Sequence, residues 1–390
     1  MSAATLKLGV VGLGRAFSLM LPTFLNDARI ALVAGCDPRE AARARFAADF
    51  QAPVFERVED LARCDAVQVV YLASPHQFHA HHVKLVAAQG KHMLLEKPMA
   101  ISMQECDEIV EACERHRVKL IIGHCHSFDQ PYLEAQKVIA SAELGRVRML
   151  SAMNFRDFLY RPRRPEELDT RQGGGVVFSQ GAHQMDVLRL LAGGEVVKVR
   201  AIMGQWDESR PTEGAYSALL WFDNGAFASA SYSGYGHFDS DIWMHGFGEM
   251  GNTKNFDHYG AARKRLLSVS GDEEAALKAR ATYGGPDFSL EQPPFDRSHQ
   301  HFGPIIVACE RGDIRPLPDG LEIYADAHKR WQPFEQPAYP RKEVIDELEQ
   351  AVVFQQATLH DGIWARKTLQ TCLAMLKSAQ TGNDVDLTYD

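Results

Sequence analysis

No apolar run in this 390-residue chain approaches the roughly 18 residues needed to span a bilayer. Its beginning shows no charged stretch, apolar core and small-residue cleavage site in succession. Seven cysteines (Cys36, Cys64, Cys106, Cys113, Cys125, Cys309, Cys372) are scattered, odd in number and without a C-x-x-C. That argues against a disulfide framework, and free thiols in a reducing cytoplasm are expected. Positive charge is also short, with Lys plus Arg at 42 against 51 Asp plus Glu and a net charge of −9. Such a chain is a poor partner for nucleic acid or an anionic membrane. Among 16 histidines there is no H-E-x-x-H, and His79, His81 and His82 lack the spacing that converges three ligands, so no catalytic metal is expected. No internal repeat or low-complexity tract is present. What remains is ordinary globular composition, 45% hydrophobic and 24% charged, long enough for two or three domains.

Short apolar runs alternate with helical patterns over the first third. Strands are expected at 6–12, 31–36, 67–73, 92–96 and 118–122, and helices from Ala16, then at 39–50, 78–88 and 103–117. This alternation predicts an α/β, doubly wound parallel sheet over residues 1–125. The pattern then changes. A strand at 146–155, an Arg- and Pro-rich loop, a helical pattern to Leu191 and strand-favouring residues from 196 to about 235 predict an α+β domain, 126–390, with an open, mostly antiparallel sheet. Asn224-Gly225 signals a hairpin. The stretch 252–297 is polar and weakly periodic. Residues 343–379 read as helix, expected to pack back on the first domain.

"VVGLGRAFSLM", Val10 to Met20, places Gly12 and Gly14 between the first strand and a helix, with Phe17 where a third glycine would complete G-x-G-x-x-G. A helix N-terminus behind such a turn can hold a pyrophosphate; the alternative is a turn without a nucleotide. Asp37 ends the second strand, 23 residues beyond Gly14, where an acid accepts from a ribose 2′-hydroxyl. Asp37 favours NAD, because its charge repels a 2′-phosphate; Arg39 keeps NADP open.

"LLEKPMA", Leu94 to Ala100, puts Lys97 at the carboxyl end of a buried strand, where ligands bind in parallel sheets. Desolvation there moves a lysine towards a useful proton-transfer range. With Ser74-Pro75-His76-Gln77-Phe78-His79, the run Glu96-Lys97-Pro98 resembles the Gfo/Idh/MocA family of nicotinamide-dependent oxidoreductases. The resemblance implies a Rossmann domain joined to an α/β domain with an open sheet over the nicotinamide, and assembly as a homodimer or homotetramer. It implies a cofactor site drawn from Gly12, Gly14, Arg15, Ala16, Asp37, Arg39, Ser74, Pro75, His79, Glu96, Lys97 and His126, with Lys97 also catalytic.

In "GGGVVFSQGAHQMDVLRLL", Gly173 to Leu191, Ser179, His183 and Asp186 are spaced to share a helix face. The family's D-x-G-x-H-x-x-D is matched at Gly181, His183 and Asp186, with Ser179 for the leading Asp. The resemblance makes His183 a proton acceptor at the reacting hydroxyl, with Ser179 and Asp186 beside the substrate.

Two stretches bear on the substrate. "YRPRRPEEL" carries Arg161, Arg163 and Arg164, and clustered guanidinium groups suit carboxylates. "IIGHCHSF" carries His124, His126 and Ser127. Together with "TEGAYSALLWF", "SYSGYGHFDSD" and "ACERGDIRPLPDG", these resemble the aromatic cis-dihydrodiol dehydrogenases of the family, of the phthalate 4,5-cis-dihydrodiol and chlorobenzoate-dihydrodiol kinds. The implied reaction belongs to aromatic hydrocarbon catabolism. NAD takes hydride from a carboxylated cis-diol, Lys97 or His183 takes the proton, and Arg163 or Arg164 holds the carboxylate. Ser127 is placed with the substrate. The rival readings are a sugar or polyol dehydrogenase on the same scaffold, a non-catalytic NAD sensor and a metal enzyme.

Overall fold

The computed structural model describes residues 5–269, 271–290 and 298–389, the side chains of 271 and 272 excepted. The chain divides into two compact units, one of Met1–His124, Ala275–Phe295 and Tyr339–Arg366, the other of Cys125–Glu274, Asp296–Ala338 and Lys367–Asp390.

The first unit is built on a six-stranded parallel sheet of β1 (Leu6–Val11), β2 (Ile30–Cys36), β3 (Val54–Phe55), β4 (Val69–Leu72), β5 (His92–Leu95) and β6 (Leu120–Ile122), ordered β3-β2-β1-β4-β5-β6. The runs are apolar because strands covered on both faces have no solvent side to place polar residues on; all of β4 is buried. The crossovers are α1 (Arg15–Asn26), α2 (Glu40–Phe50), α3 (Val58–Ala62), α4 (His79–Ala87) and α5 (Met103–His116). Ser102 caps α5 by accepting from the Glu105 N–H, and the Glu105 carboxylate accepts from the Ile101 N–H, so the first turn leaves fewer orphan donors. Strand order reverses between β1 and β4, and ligands bind at such a switch point.

The third glycine of the nucleotide turn is replaced in a way the packing explains. Phe17 is buried against Phe46, with ring centres 6.0 Å apart, and edge-on to Tyr283 at 5.0 Å. Tyr283 comes from the stretch that sequence alone leaves unassigned. That stretch contains α8 (Ala261–Leu266) and α9 (Gly271–Arg280), and part of it joins the first unit, where the Tyr283 hydroxyl donates to Asp49 at 2.7 Å. Its residues 291–297 lie outside those described.

The expected helix over 343–379 is two helices, α10 (Lys342–Val352) and α11 (Gly362–Thr381). α10 belongs to the first unit, where Arg29 pairs with its Asp346 and Glu349, each at 2.7 Å. From Lys367 onward α11 belongs to the second unit.

The second unit carries a nine-stranded sheet of β7 (Val147–Phe155), β8 (Val196–Gly204), β9 (Ala215–Phe222), β10 (Phe227–Ser233), β11 (Ile305–Cys309), β12 (Gly312–Leu317), β13 (Gly320–Ala325), β14 (Lys329–Pro333) and β15 (Val385–Asp386). Its order is β14-β13-β12-β11-β7-β10-β9-β8-β15, parallel at β7–β10 and antiparallel elsewhere. Gly225, at φ +83, makes the β9–β10 hairpin, a conformation open to glycine without strain. α6 (Gln130–Ala140) and α7 (Ala182–Ala192) also belong here. α7 lies on one face of the sheet, where Gln184 accepts from the Tyr216 hydroxyl at 2.8 Å. The other face is uncovered: β9 alternates buried and exposed residues, and Trp221, Phe227 and Met149 form an exposed cross-strand row. No helix among the described residues is long and apolar enough to cross a membrane.

Candidate active site

The carboxyl ends of β1, β2, β4 and β5 deliver the cofactor candidates of the first unit. Gly12 sits at φ +89, and a Cβ there would lie 2.6 Å from the Ala73 carbonyl oxygen, so the turn itself requires glycine. Gly14 differs. A Cβ on it would meet nothing within 4 Å, and it caps the N-terminus of α1. Open space before the free N–H groups of a helix suits a pyrophosphate. Arg15 and Ala16 open that helix.

The Asp37 carboxylate accepts from the Leu13 N–H at 2.8 Å and the Arg39 N–H at 2.9 Å. Arg39 folds back on it at 3.0 Å and also donates to the Leu13 carbonyl at 2.7 Å. Asp37 is thereby fixed beside the glycine turn, and Arg39 is already engaged by that acid.

Ser74 and Pro75 follow β4. The Ser74 hydroxyl bonds His82 at 2.9 Å, and His79 proves to be a brace. Its ring is fully buried, with one nitrogen 2.9 Å from the Ser74 carbonyl and the other 3.0 Å from that of Pro98, so it ties the loops after β4 and β5 together. Burial lowers its pKa, against those carbonyl bonds. Glu96 is buried and accepts from Tyr71 at 2.6 Å; burial raises its pKa, opposed by Tyr71 and by the charges of Arg341 and Lys97. Its role is therefore to close the end of β5 on the core, with Lys97, half-buried, as the next residue. Of the expected cofactor residues, His79 and Glu96 thus have side chains engaged by the protein itself.

The remaining residues stand in the second unit. His126, expected with the cofactor, belongs to a buried network there. One ring nitrogen lies 2.5 Å from Asp129 and the other 3.3 Å from Glu249. Glu249 also pairs with Arg156, which lies 3.5 Å from Asp241. Burial opposes the Asp241 charge, but Arg156, His301 and Lys254 outweigh it and hold its carboxyl below the usual range. The His183 ring is 4.6 Å from that of His126 and 5.3 Å from Phe302. Arg156, Glu249 and Phe302 lie outside the stretches that sequence singles out, and Asp241 closes SYSGYGHFDSD without a role legible there; the β7–β11 neighbourhood collects them.

Ser179 does not share an α-helical face with His183. Residues Val177–Gly181 form a π-helical turn ahead of α7, and wider turns break the four-residue alignment. The Ser179 hydroxyl donates to the Gly175 carbonyl. Asp186, on α7, accepts from the Ser127 hydroxyl and from Thr368 at 2.9 Å, so Ser127 and Asp186 join the His126 turn to α7 and α11.

The three loop arginines separate. Arg164 is 42% exposed and pairs with Glu166 at 3.1 Å and Glu167 at 3.6 Å. Arg163 is stacked on Phe158, its guanidinium carbon 3.7 Å from the ring centre, and donates to the Phe158 carbonyl at 2.5 Å. Among the described residues no carboxylate lies within 4.0 Å of its guanidinium, and its Nε is buried without a partner. Arg161 has only Asp157 near it, at 3.9 Å. A run of rings, Phe158, Tyr232, Phe302 and His183, joins the arginines to the histidine, with successive centres 6.4, 6.2 and 5.3 Å apart.

Residues 6–124 match an oxidoreductase family with an NAD-binding Rossmann fold, and residues 132–253 match the GFO/IDH/MocA C-terminal domain. The chain is 45% identical over 377 residues, 96% of its length and 95% of the relative's, to 1-carboxy-3-chloro-3,4-dihydroxycyclohexa-1,5-diene dehydrogenase of Comamonas testosteroni. It is 31% identical to inositol 2-dehydrogenase 2 of Saccharopolyspora erythraea over 204 residues, 50% of this chain and 57% of that one. A crystal structure of a candidate dehydrogenase from Bordetella bronchiseptica RB50 superposes with a TM-score of 0.92, covering 98% of this chain and 100% of that one at 40% identity. The glycine turn with its anchored Asp37, the lysine ending β5 and the histidine of α7 thus stand in a member of the Gfo/Idh/MocA family of NAD-binding oxidoreductases.

Proposed function

We propose that this enzyme oxidises a cyclohexadiene cis-diol bearing a ring carboxylate, of the phthalate 4,5-cis-dihydrodiol type, to the corresponding catechol. The observation that carries the reading is Arg163. A half-buried guanidinium with no ion pair within 4.0 Å among the described residues, its Nε unpaired, and joined to His183 by a run of aromatic rings, suits an anionic, flat substrate. The 45% identical relative, whose name describes a carboxylated dihydroxycyclohexadiene, supports the same class.

Gly12, Gly14 and Asp37 would hold the dinucleotide, which supplies the hydride acceptor when bound. With that acceptor in place to take the carbinol hydride, His183 or Lys97 would take the hydroxyl proton. The hydroxy-dienone so formed tautomerises to the aromatic diol, which makes the overall step strongly downhill. The chain's work is therefore alignment and proton transfer. Arg163 orients the carboxylate. The Asp129 and Glu249 carboxylates hold the His126 ring in place against His183.

We further propose that the uncovered sheet face, with Trp221, Phe227, Met149 and Ile202 exposed, closes on a second copy in a homodimer or homotetramer. Light scattering showing a monomer at micromolar concentration would remove that reading. The cytoplasmic assignment rests on the free cysteines, and fractionation of cells expressing the full chain tests it.

The deciding assay is NADH formation with a carboxylated aromatic cis-dihydrodiol, its uncharged analogue and myo-inositol, each with NAD and NADP. Fast reduction of NAD with the carboxylated diol alone is expected. Turnover of inositol alone would reassign the enzyme to polyols.

A further inference from the structure

The structure assigns a substrate contact to Tyr232, whose hydroxyl we infer donates to the ring carboxylate held by Arg161 and Arg163; this deepens the proposed function and rests on it. Tyr232 lies on β10 opposite Asn154 of β7 and is 1% exposed. Its ring is near-parallel to those of Tyr216 and Phe302, at 5.9 and 6.2 Å, with Phe158 edge-on at 6.4 Å. The ring is thus fixed on three sides, yet its hydroxyl oxygen is shut off from solvent and has no hydrogen-bond partner. Native folds pair nearly all buried polar atoms, so an unpaired one calls for a reason.

The surroundings supply it. Burial raises the phenol's pKa, opposed by the charges of Arg156, Arg161 and Arg163, and it stays a neutral donor at physiological pH. Of those cations, Arg156 is balanced by Glu249 and Asp241, whereas among the described residues Arg163 makes no ion pair within 4.0 Å, with Glu167 and Glu274 acting on it from further off, and Arg161 has only Asp157, at 3.9 Å. The Arg163 Nε is a second buried donor without a partner. Guanidinium groups without a close ion pair beside two unpaired donors are the chemistry of an anion site. Arg163 is restrained by one carbonyl and a ring face, so it can yield to an incoming carboxylate.

The test is Tyr232→Phe, with phthalate binding to the full enzyme read by calorimetry alongside steady-state kinetics. Loss of a hydrogen bond to a charged group should weaken phthalate binding, and raise KM for the carboxylated diol, by about tenfold or more. KM for NAD and turnover of the uncharged diol should hold, and the ligand-free Tm should not fall, because the hydroxyl removed had no partner. Equal phthalate binding by the variant and the wild type, or none by the wild type, overturns the inference. Should the Phe variant fail to fold, Arg161→Met, at a side chain 43% exposed, gives the same readout. The two readings fail separately. Tyr232-dependent phthalate binding without oxidation of a carboxylated diol removes the activity and leaves the anion site; oxidation unaffected by Tyr232→Phe does the reverse.

Discussion

Arg163 and Arg164 are neighbours in sequence with opposite expectations, and that contrast makes a sharp experiment. Truncating Arg163 to Ala deletes a guanidinium that makes no ion pair within 4.0 Å among the described residues and whose Nε is unpaired, so a substrate carboxylate would lose its charged partner. Each hydrogen bond to a charged group contributes about 1.5–3 kcal/mol, which corresponds to a rise in KM of roughly 10- to 150-fold for a carboxylated diol. Truncating Arg164 removes a half-exposed guanidinium already engaged by Glu166 and Glu167, and such pairs contribute about 1 kcal/mol at most, to stability and not to binding. The quantity to measure is kcat/KM on the carboxylated diol divided by that on an uncharged diol. Arg163→Ala also loses the Phe158 carbonyl bond and the stacking on its ring, so Tm is recorded beside the kinetics. The ratio should collapse for Arg163→Ala and hold for Arg164→Ala. If Arg163→Ala weakens both substrates equally, or Arg164→Ala lowers the ratio as much, the carboxylate clamp is refuted.

Two other perturbations probe different parts of the molecule. Lys97→Met should reduce turnover by about 100-fold or more while NAD still binds by fluorescence titration, since a positioned proton-transfer group contributes on that order; wild-type-like rates would remove Lys97 from the chemistry. His301 is fully buried, with one ring nitrogen accepting from the Gly303 N–H at 3.0 Å and the other 3.2 Å from the Phe247 carbonyl, an arrangement made for the neutral ring. Burial lowers its pKa from 6.5 to about 4. Between those values the unfolded chain binds the proton and the folded chain does not, so stability is present above the unfolded pKa and falls as pH drops from about 6.5 to about 4, by up to roughly 3 kcal/mol. Urea titrations across that window should show the slope for the wild type and a shallower one for His301→Gln; parallel slopes would mean that His301 does not set it.

The Rossmann half of the fold was legible because its signals are local. Apolar runs of strand length, glycines at a turn and an acid ending the second strand each report on their own few residues, and the alternation of β1 to β6 with helices leaves little choice of topology. The nine-stranded sheet was legible in class but not in order, since β7 lies between β10 and β11, far apart in sequence, and no pattern within a strand names its neighbour. The return of residues 275–290 to the first unit was invisible for a related reason. Tyr283 marks nothing by itself, and it acquires meaning only as the ring that fills the space beside Phe17.

For the site, the distinction that sequence could not draw is between a residue that meets a ligand and one that holds such a residue in place. His79 and Lys97 belong to equally visible motifs, yet both nitrogens of His79 lie against backbone carbonyls. Ser179 matched a helical spacing, and a π turn, which no side-chain pattern announces, displaced it. The arginine loop shows the same limit from the other side. Three guanidinium groups in four residues say that charge is wanted there, and only the placement of Glu166 and Glu167 beside Arg164 reveals which charge is already answered. Tyr232 stands in the stretch SYSGYGHFDSD with no role of its own legible there, because a tyrosine in a strand is ordinary and its unpaired hydroxyl exists only in three dimensions. Motifs therefore mark the candidate residues of this enzyme, and the balance of paired and unpaired polar groups around them separates those already engaged from those open to a ligand.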